Sequence, residues 1–270
     1  MANERWRVVA TSLTGGSHLK CGTECQDSHR HRFLDNGTLL LSVADGAGSA
    51  SRSAEGSAIA AGTAIALLEE KLRKRGVPDT SSAWEAVARD TLHQTVERLR
   101  MAVRALAGDA ANPKDFATTL SVVVLAGPWI VYAGVGDGFL VLQTRDTQLF
   151  LPVPPQQVGE YRNEAVFLTT ESWEEYASVM PIWDPECSGV ALSTDGLVRA
   201  VLVHQRPPRN LPGGSPVKVP VKPLSEFFSG VFRYVADPRF DPRQLYAEFM
   251  DQRFDTVSGD DRTLLVAVKQ

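Results

Sequence analysis

The chain has 270 residues, of which 43% are hydrophobic and 22% are charged, and its formal net charge is −4 at pH 7. This length suits one domain that buries a core of its own, and the acidic balance argues against a nucleic-acid partner. No apolar run approaches the length of a membrane-spanning helix, and no signal region follows the first residues, so we expect a cytoplasmic protein without a membrane partner.

The predicted elements come in groups of strands and groups of helices. Strands are predicted at residues 6–11, 38–43, 118–125, 129–133, 139–144, 165–169, 190–193 and 263–268. Helices are predicted at residues 53–75, 82–106, 224–235 and 242–253. Residues 149–159 are interpreted as a linker, and the Pro- and Gly-rich residues 207–223 as an exposed loop inserted into one domain that spans 1–270. This grouping predicts an α+β fold and not a doubly wound parallel sheet.

The three cysteines, Cys21, Cys25 and Cys187, form an odd number with no disulfide framework spacing. Cys21 and Cys25 lie four residues apart with His18 and His29 nearby, so a small zinc site stays open as an alternative. Reduced thiols in the cytosol are the favoured interpretation.

Acidic residues recur next to the apolar strands. Three Asp-Gly pairs begin at Asp45, Asp137 and Asp195, while the pair Asp260-Asp261 precedes the last strand. Each pair alone is typical of a turn, because Asp bonds to the local backbone and Gly accepts positive φ. Carboxylates gathered at one sheet edge would repel each other unless cations lay among them, and oxygen ligands of this kind favour magnesium or manganese. The recurrence therefore predicts a metal centre.

With these acidic residues and the segments around them, the sequence resembles the metal-dependent protein phosphatases of the PPM/PP2C family in their compact bacterial-type form. Its motifs occur in the family's order and cover nearly the whole chain. They are Gly16-x-His18-x3-Gly22-x2-Cys25-Gln26-Asp27, Val43-Ala44-Asp45-Gly46-x-Gly48, Ala117-Thr118-Thr119-Leu120, Gly134-x-Gly136-Asp137, Asn163-Glu164-x-x-Phe167-Leu168-Thr169, Leu192-Ser193-Thr194-Asp195-Gly196 and Asp260-Asp261-x-Thr263.

The resemblance implies a four-layer α-β-β-α sandwich, with a central pair of mainly antiparallel sheets that holds two divalent metals at one end. It implies that Asp45 bridges the two Mg²⁺ or Mn²⁺ ions and that the Gly46 carbonyl binds one of them. Asp195 and Asp260 would complete the second site. Asp27 would hold metal-bound waters, next to Gln26 where the family often has Glu, and Asp137 would take part in a weaker third site. The implied reaction is hydrolysis of phosphoserine and phosphothreonine by a metal-activated water.

Two positions depart from the family's pattern. Many members have a histidine after the bridging Asp-Gly that helps to protonate the leaving group, and this chain has Ala47 there. Many also have a phosphate-gripping arginine where this chain has Gly22, which leaves Lys20 as the nearest substitute. His29 matches a position that is often histidine, and we assign it the role of general acid as a hypothesis.

The resemblance also implies the partners, namely a phosphorylated protein substrate and a Ser/Thr kinase whose phosphorylation is reversed. We expect the protein to be a monomer. Three alternatives stay open at this level. The first is a catalytically silent phosphatase-like module used for binding or regulation, the second is a small-molecule phosphatase, and the third is a two-domain binding protein whose Asp-Gly pairs are turns. Metal-dependent turnover separates the first alternative, substrate comparison the second, and manganese calorimetry the third.

Overall fold

The computed structural model describes residues 5–156, 165–204, 221–249, 254 and 256–270. Its strands form two five-stranded sheets and one short two-stranded sheet. The strands are β1 (Trp6–Leu13), β2 (Ser28–Phe33), β3 (Leu39–Ala44), β4 (Leu120–Ala126), β5 (Trp129–Val135), β6 (Phe139–Thr144), β7 (Leu149–Val153), β8 (Ser178–Trp183), β9 (Cys187–Ser193), β10 (Leu202–His204), β11 (Val221–Pro223) and β12 (Arg262–Lys269). The helices are α1 (Gly16–Cys21), α2 (Ser53–Arg75), α3 (Ser81–Ala107), α4 (Val198–Val201), α5 (Ser225–Ala236) and α6 (Pro242–Phe249).

Sheet I has the strand order β1-β12-β9-β6-β7, and sheet II has the order β2-β3-β4-β5-β8. Neighbouring strands are antiparallel throughout both sheets. Strands β3, β4, β9 and β12 are almost wholly buried, because each lies inside its sheet and is covered on both faces. Their nearly continuous apolar sequences are what such strands require.

Three hydrophobic clusters define four layers. One cluster joins the inner faces of the two sheets, with Leu41 and Val123 from sheet II packed against Val190 and Leu265 from sheet I. A second joins α2 and α3 to the outer face of sheet II, and a third joins α4, α5 and α6 to the outer face of sheet I. The layer order is helices, sheet II, sheet I, helices. The predicted α+β fold with a four-layer sandwich is confirmed.

The helix ends follow local chemistry. The side chain of Thr80 accepts a hydrogen bond from the N–H of Ala83 and so caps α3. Gly76, whose φ is +78°, ends α2 directly after Arg75, as predicted from the basic last turn followed by glycine and proline. Among the described residues, no helix combines the length and the apolar character needed to cross a bilayer.

Several predicted elements were wrong or incomplete. Residues 165–169 form no strand, because Leu168 instead anchors a loop: its side chain is buried in the helix-side core of sheet II, and its N–H bonds to the Thr118 carbonyl at 2.8 Å. The predicted linker begins as strand β7, an edge strand that tolerates proline, and only its residues 157–159 lie outside the described part. Of the predicted loop 207–223, residues 207–220 lie outside the described part and 221–223 form β11. Asn163 and Glu164 also lie outside it.

Candidate metal centre and active site

Antiparallel pairing gathers acidic residues at one end of the sandwich. In sheet I, Ser193 at the end of β9 lies opposite both Phe139 at the start of β6 and Leu264 near the start of β12. Acidic residues lie just beyond each of these three strand ends, and the register therefore places them at the same sheet edge. They are Asp137, Asp195 and Asp260.

Sheet II brings two further aspartates to the same end. Ser28 pairs with Ala44, so Asp27 and Asp45 lie side by side where β2 begins and β3 ends. The Asp45 N–H donates to the Thr119 hydroxyl at 3.0 Å, and the Asp45 carbonyl accepts from the Thr118 hydroxyl at 2.9 Å and the Thr119 N–H at 2.8 Å. These bonds fix the backbone of Asp45 and leave its side chain free to face the cleft.

Gly46 lies where three segments of backbone meet. Its N–H donates to the Gln26 carbonyl at 3.1 Å, and it forms an isolated bridge with Thr118. A Cβ at this position would lie 2.7 Å from the Gln26 carbonyl oxygen and 2.8 Å from that of Ser53. Only glycine therefore fits without moving the loop that carries Asp45.

Three carboxylates approach closely enough to share a cation. One oxygen from each of Asp45, Asp137 and Asp195 lies within 4.8 Å of the others. Burial raises the pKa of Asp45 well above its usual value, and the charges of neighbouring aspartates raise it further. Burial and the charge of Asp195 likewise raise the pKa of Asp137 to about 7. Without a cation the cluster thus favours protons over charge.

Asp195 belongs to a short turn of 3-10 helix that directly follows β9. Burial raises its pKa, and the charge of Asp260 acts in the same direction. A hydrogen bond with Asp45 and the positive charge of Arg199 oppose the rise. Asp195 is therefore the member of the cluster with a cationic side chain beside it.

Asp27 lies beneath the cluster and is 8% exposed. One of its carboxyl oxygens accepts from the Thr194 hydroxyl at 2.8 Å, while the other is buried with no hydrogen-bond partner among the described residues. Burial raises the pKa of Asp27 to about 7, with the charge of Asp261 contributing, while hydrogen bonds from Thr263 and Thr194 partly oppose the rise.

Two more buried oxygens share this condition within the described part of the chain, namely Gln26 Oε1 and Asp137 Oδ1. Buried acceptors without a donor are rare in native proteins and usually point to a water or an ion. Hard acceptor oxygens next to a carboxylate cluster fit a divalent cation with its waters. The residues present therefore fit the predicted metal centre.

The two members of the Asp260-Asp261 pair have different roles. Asp260 is exposed, lines the cleft and lies outside the close group of three carboxylates. Asp261 is 2% exposed and accepts from the Gly15 N–H at 2.7 Å, the Gln26 N–H at 2.6 Å and His18 Nδ1 at 2.9 Å. Sequence reasoning did not assign Asp261 a role, because two adjacent aspartates give no signal of which one turns inward.

The cleft around these groups has a volume of about 1270 Å³. Its described lining includes the loop from Asp45 to Ser49 and the helical residues His18 and Arg199. Arg199 on α4 and His204 at the end of β10 are exposed side chains that line it, and sequence reasoning missed both. Neither lies in an Asp-Gly motif, and only the tertiary structure brings them to the cleft.

Two predicted site residues are not among the described residues that line the cleft. His29 Nδ1 lies 2.8 Å from the Ser12 hydroxyl, which in turn bonds to the Thr263 hydroxyl at 2.6 Å, so the imidazole lies between β2 and β1. Burial lowers the pKa of His29, with the charges of Arg30 and His31 acting in the same direction. Lys20 is exposed in the last turn of α1. The roles assigned to His29 and Lys20 stay predictions.

The cysteines are free thiols: Cys21 is exposed, Cys25 is half-buried and Cys187 is buried. Burial raises the pKa of the Cys25 thiol to about 12, and the charges of Asp27 and Asp261 add to the effect. In the described residues, the group of three with metal-holding geometry contains aspartates and no cysteine or histidine. The aspartate centre therefore has geometric support that the zinc alternative lacks.

Comparison with known proteins covers nearly the whole chain. The profile of the family described as Protein phosphatase 2C matches residues 14–252. Serine/threonine-protein phosphatase 3 of Escherichia coli K12 is 29% identical over 279 residues, which span 97% of this chain and 98% of that protein.

Solved structures share the fold at low sequence identity. The match to the S. agalactiae serine/threonine phosphatase has a TM-score of 0.60 at 13% identity and covers 97% of this chain and 99% of that protein's chain. PppA of Pseudomonas aeruginosa, described as a key regulatory component of T6SS, has a TM-score of 0.59 at 18% identity and covers 98% of both chains. The family profile extends from before β2 to beyond α6 and includes Asp27, Asp45, Asp137 and Asp195. The chain therefore belongs to the protein phosphatase 2C family of metal-dependent serine/threonine phosphatases.

Proposed function

We propose that this phosphatase hydrolyses phosphoserine and phosphothreonine in proteins at a centre of two Mg²⁺ or Mn²⁺ ions. The observation that carries the proposal is the group of Asp45, Asp137 and Asp195, whose carboxyl oxygens lie within 4.8 Å of one another at one edge of the sandwich. Two such ions, when bound, lower the pKa of a shared water and stabilise the charge that develops on the phosphoryl oxygens.

Each acidic residue has a proposed role in holding the ions. Asp45 would hold both ions, and three hydrogen bonds fix its backbone. The Gly46 carbonyl would serve one ion, and Asp195 and Asp260 would serve the other. Asp137 takes part in a third, weaker site, which its buried and unpartnered Oδ1 supports within the described residues.

Asp27 and Gln26 are proposed to hold waters around the ions. Each has a buried oxygen without a donor among the described residues, and other hydrogen bonds hold each residue in place. Asp27 accepts from Thr194, and the Gln26 backbone bonds to both Asp261 and Gly46. Groups held in this way orient waters without binding metal directly.

Arg199 is proposed to bind the phosphate of the substrate. It lines the cleft on the side of Asp195, and its guanidinium offers the planar pair of donors that suits a phosphate. Lys20 stays a weaker candidate because it is absent from the described lining of the cleft.

The wider setting is proposed on the same basis. The substrates are phosphoproteins, and a Ser/Thr kinase with the opposite activity is the expected partner. A monomer that forms one domain over residues 1–270 is the proposed state, and the cytoplasm is the proposed location, which the three free thiols support.

The direct test is turnover of p-nitrophenyl phosphate and a phosphothreonine peptide with and without Mn²⁺. Asp45→Asn is expected to lower both rates at least about 1000-fold, because metal catalysis supplies several kcal/mol of transition-state stabilisation. The backbone bonds of residue 45 do not depend on the carboxylate, so the variant is expected to fold.

Asp35→Asn, at an exposed position between β2 and β3, is the matched control and is expected to retain full activity. Calorimetry with Mn²⁺ completes the test, with binding expected for wild type and weakened binding for Asp45→Asn. A wild-type protein that binds no Mn²⁺ and shows no turnover at any pH would contradict the proposed function.

A further inference from the structure

His18 is the one cleft-lining histidine in the described chain that a buried carboxylate orients. Its Nδ1 lies 2.9 Å from Asp261 Oδ1, and Asp261 is 2% exposed. The same carboxylate accepts from the Gly15 and Gln26 N–H groups, so its position is fixed by backbone on both sides. Since a carboxylate only accepts, Nδ1 carries a proton, and the ring orientation is set.

The other ring nitrogen faces the loop that carries the proposed metal ligands. A Cβ on Gly48 would lie 3.6 Å from His18 Nε2, which places this nitrogen beside the segment that begins at Asp45. Ala47, in the middle of this segment, is 8% exposed and ends in a methyl group, so this side chain cannot donate a proton. The imidazole of His18 thus reaches the cleft beside a segment, Asp45 to Ser49, that has no histidine or lysine of its own.

We propose that His18, oriented by Asp261, donates the proton to the serine or threonine oxygen that leaves phosphorus. The role rests on the proposed function. In this step the His18 ring carries a proton on both nitrogens. As the bond between phosphorus and the ester oxygen breaks, its electron pair stays on that oxygen, which takes the proton from Nε2 and leaves a neutral ring with its proton on Nδ1. A water oxygen forms the new bond to phosphorus and releases its proton to solvent, and His18 regains a proton from solvent. The products are the free alcohol and inorganic phosphate.

Two other histidines are the competing donors. His29, the residue that the sequence favours, bonds to the Ser12 hydroxyl and is not among the described cleft-lining residues. His204 lines the cleft as an exposed side chain at the end of β10. Within the described part of the chain, neither makes a hydrogen bond to a buried carboxylate of the kind that His18 makes with Asp261.

The test compares two leaving groups, because a proton donor matters only when the departing oxygen is strongly basic. For His18→Gln, kcat on the phosphothreonine peptide is expected to fall about 100-fold, and kcat on p-nitrophenyl phosphate less than about threefold, since p-nitrophenolate leaves without protonation. Mn²⁺ affinity, measured by calorimetry, is expected to stay as in wild type. His29→Gln and His204→Gln are expected to keep the wild-type ratio of the two rates.

His18→Asn is a second variant, used in case His18→Gln folds poorly. Its amide can still donate to Asp261, but it cannot deliver a proton to the substrate. Across a series of aryl phosphates, both variants are expected to show a steeper dependence of kcat on leaving-group basicity than wild type. Equal loss on both substrates, no loss on either, or a selective loss in His204→Gln instead would overturn the assignment of His18. Failure of the proposed function is distinct, since it would appear in the wild-type protein as absence of Mn²⁺-dependent turnover on both substrates.

Discussion

The buried carboxyl of Asp27 makes a quantitative prediction about the metal-free protein. Its pKa is about 7, against an ordinary value of 3.8, and burial is the main cause. A pKa raised from 3.8 to about 7 means that protonation of Asp27 is favoured in the folded state over the unfolded state by about 4 kcal/mol. The folded state binds this proton more tightly than the unfolded state. The contribution of Asp27 to stability is therefore greatest below pH 3.8, falls as pH rises from 3.8 to 7, and is fully lost above pH 7.

Asp27→Asn removes this titration while its amide oxygen can still accept from the Thr194 hydroxyl. In chelator at pH 8 we expect the variant to be about 2–4 kcal/mol more stable than wild type, with the lower figure applying if the new amide hydrogens find no acceptor. Near pH 4 the two proteins are expected to have nearly equal free energies of unfolding. Catalysis, in contrast, is expected to fall in the variant, because the waters around the ions lose an orienting charge.

The assay is urea unfolding of both proteins in EDTA at a series of pH values, followed by tryptophan fluorescence, since Trp84 and Trp173 are buried. Asp35→Asn serves as the exposed control and is expected to follow wild type. Added Mn²⁺ is expected to restore stability to wild type at pH 8, because a bound cation offsets the repulsion. A variant that is no more stable than wild type at pH 8, or that retains the wild-type dependence on pH, would refute the cost assigned to the buried charge of Asp27.

Two further substitutions test the cleft. Gly46→Ala is expected to destabilise the fold by about 1–3 kcal/mol and to lower turnover at least about tenfold, because its Cβ would meet two backbone carbonyl oxygens below 3.0 Å. Gly62→Ala in α2 is the matched control, because a Cβ there meets nothing within 4 Å. This variant is expected to be about 0.5–1 kcal/mol more stable than wild type and to keep its activity. A similar loss of stability and turnover in both variants would contradict the argument. Arg199→Ala is expected to raise KM for a phosphopeptide about tenfold with a smaller change in kcat, because the variant loses a charged hydrogen bond to the phosphate. An unchanged KM would remove Arg199 from phosphate binding.

The interior of the fold was predictable because its signals are local. The buried strands carry apolar runs, and the helix Ser53–Arg75 and the strand Phe139–Thr144 were predicted with the bounds that the structure gives them. The family and its hydrolase activity were also predicted, and both are confirmed. The edge strand β1 was predicted, but both edge strands of sheet II were missed, because β2 has the polar sequence SHRHRF and β8 contains a proline. A strand at a sheet edge needs neither burial nor a full ladder of hydrogen bonds.

The roles of single residues depend on distances that no sequence pattern contains. From the Asp-Gly pairs alone, Asp45, Asp137 and Asp195 could be chosen as a cluster, since apolar strands that end together bring their last residues together. The individual metal-binding roles nonetheless stay predictions. The sequence favoured His29 as the proton donor and gave His18 no such role, whereas in the structure His18 lines the cleft and His29 bonds to Ser12.

The sequence by itself thus determined the fold class, the family and the sheet edge at which the acidic residues gather, because strand periodicity and turn chemistry act over a few residues. Only the tertiary structure decided that Asp261 turns inward to hold His18 while its neighbour Asp260 faces the cleft, and that Arg199 lines that cleft. These placements arise from contacts between segments that lie up to 246 residues apart in the chain, as between Gly15 and Asp261. Such contacts depend on how the two sheets pack, which local patterns do not record.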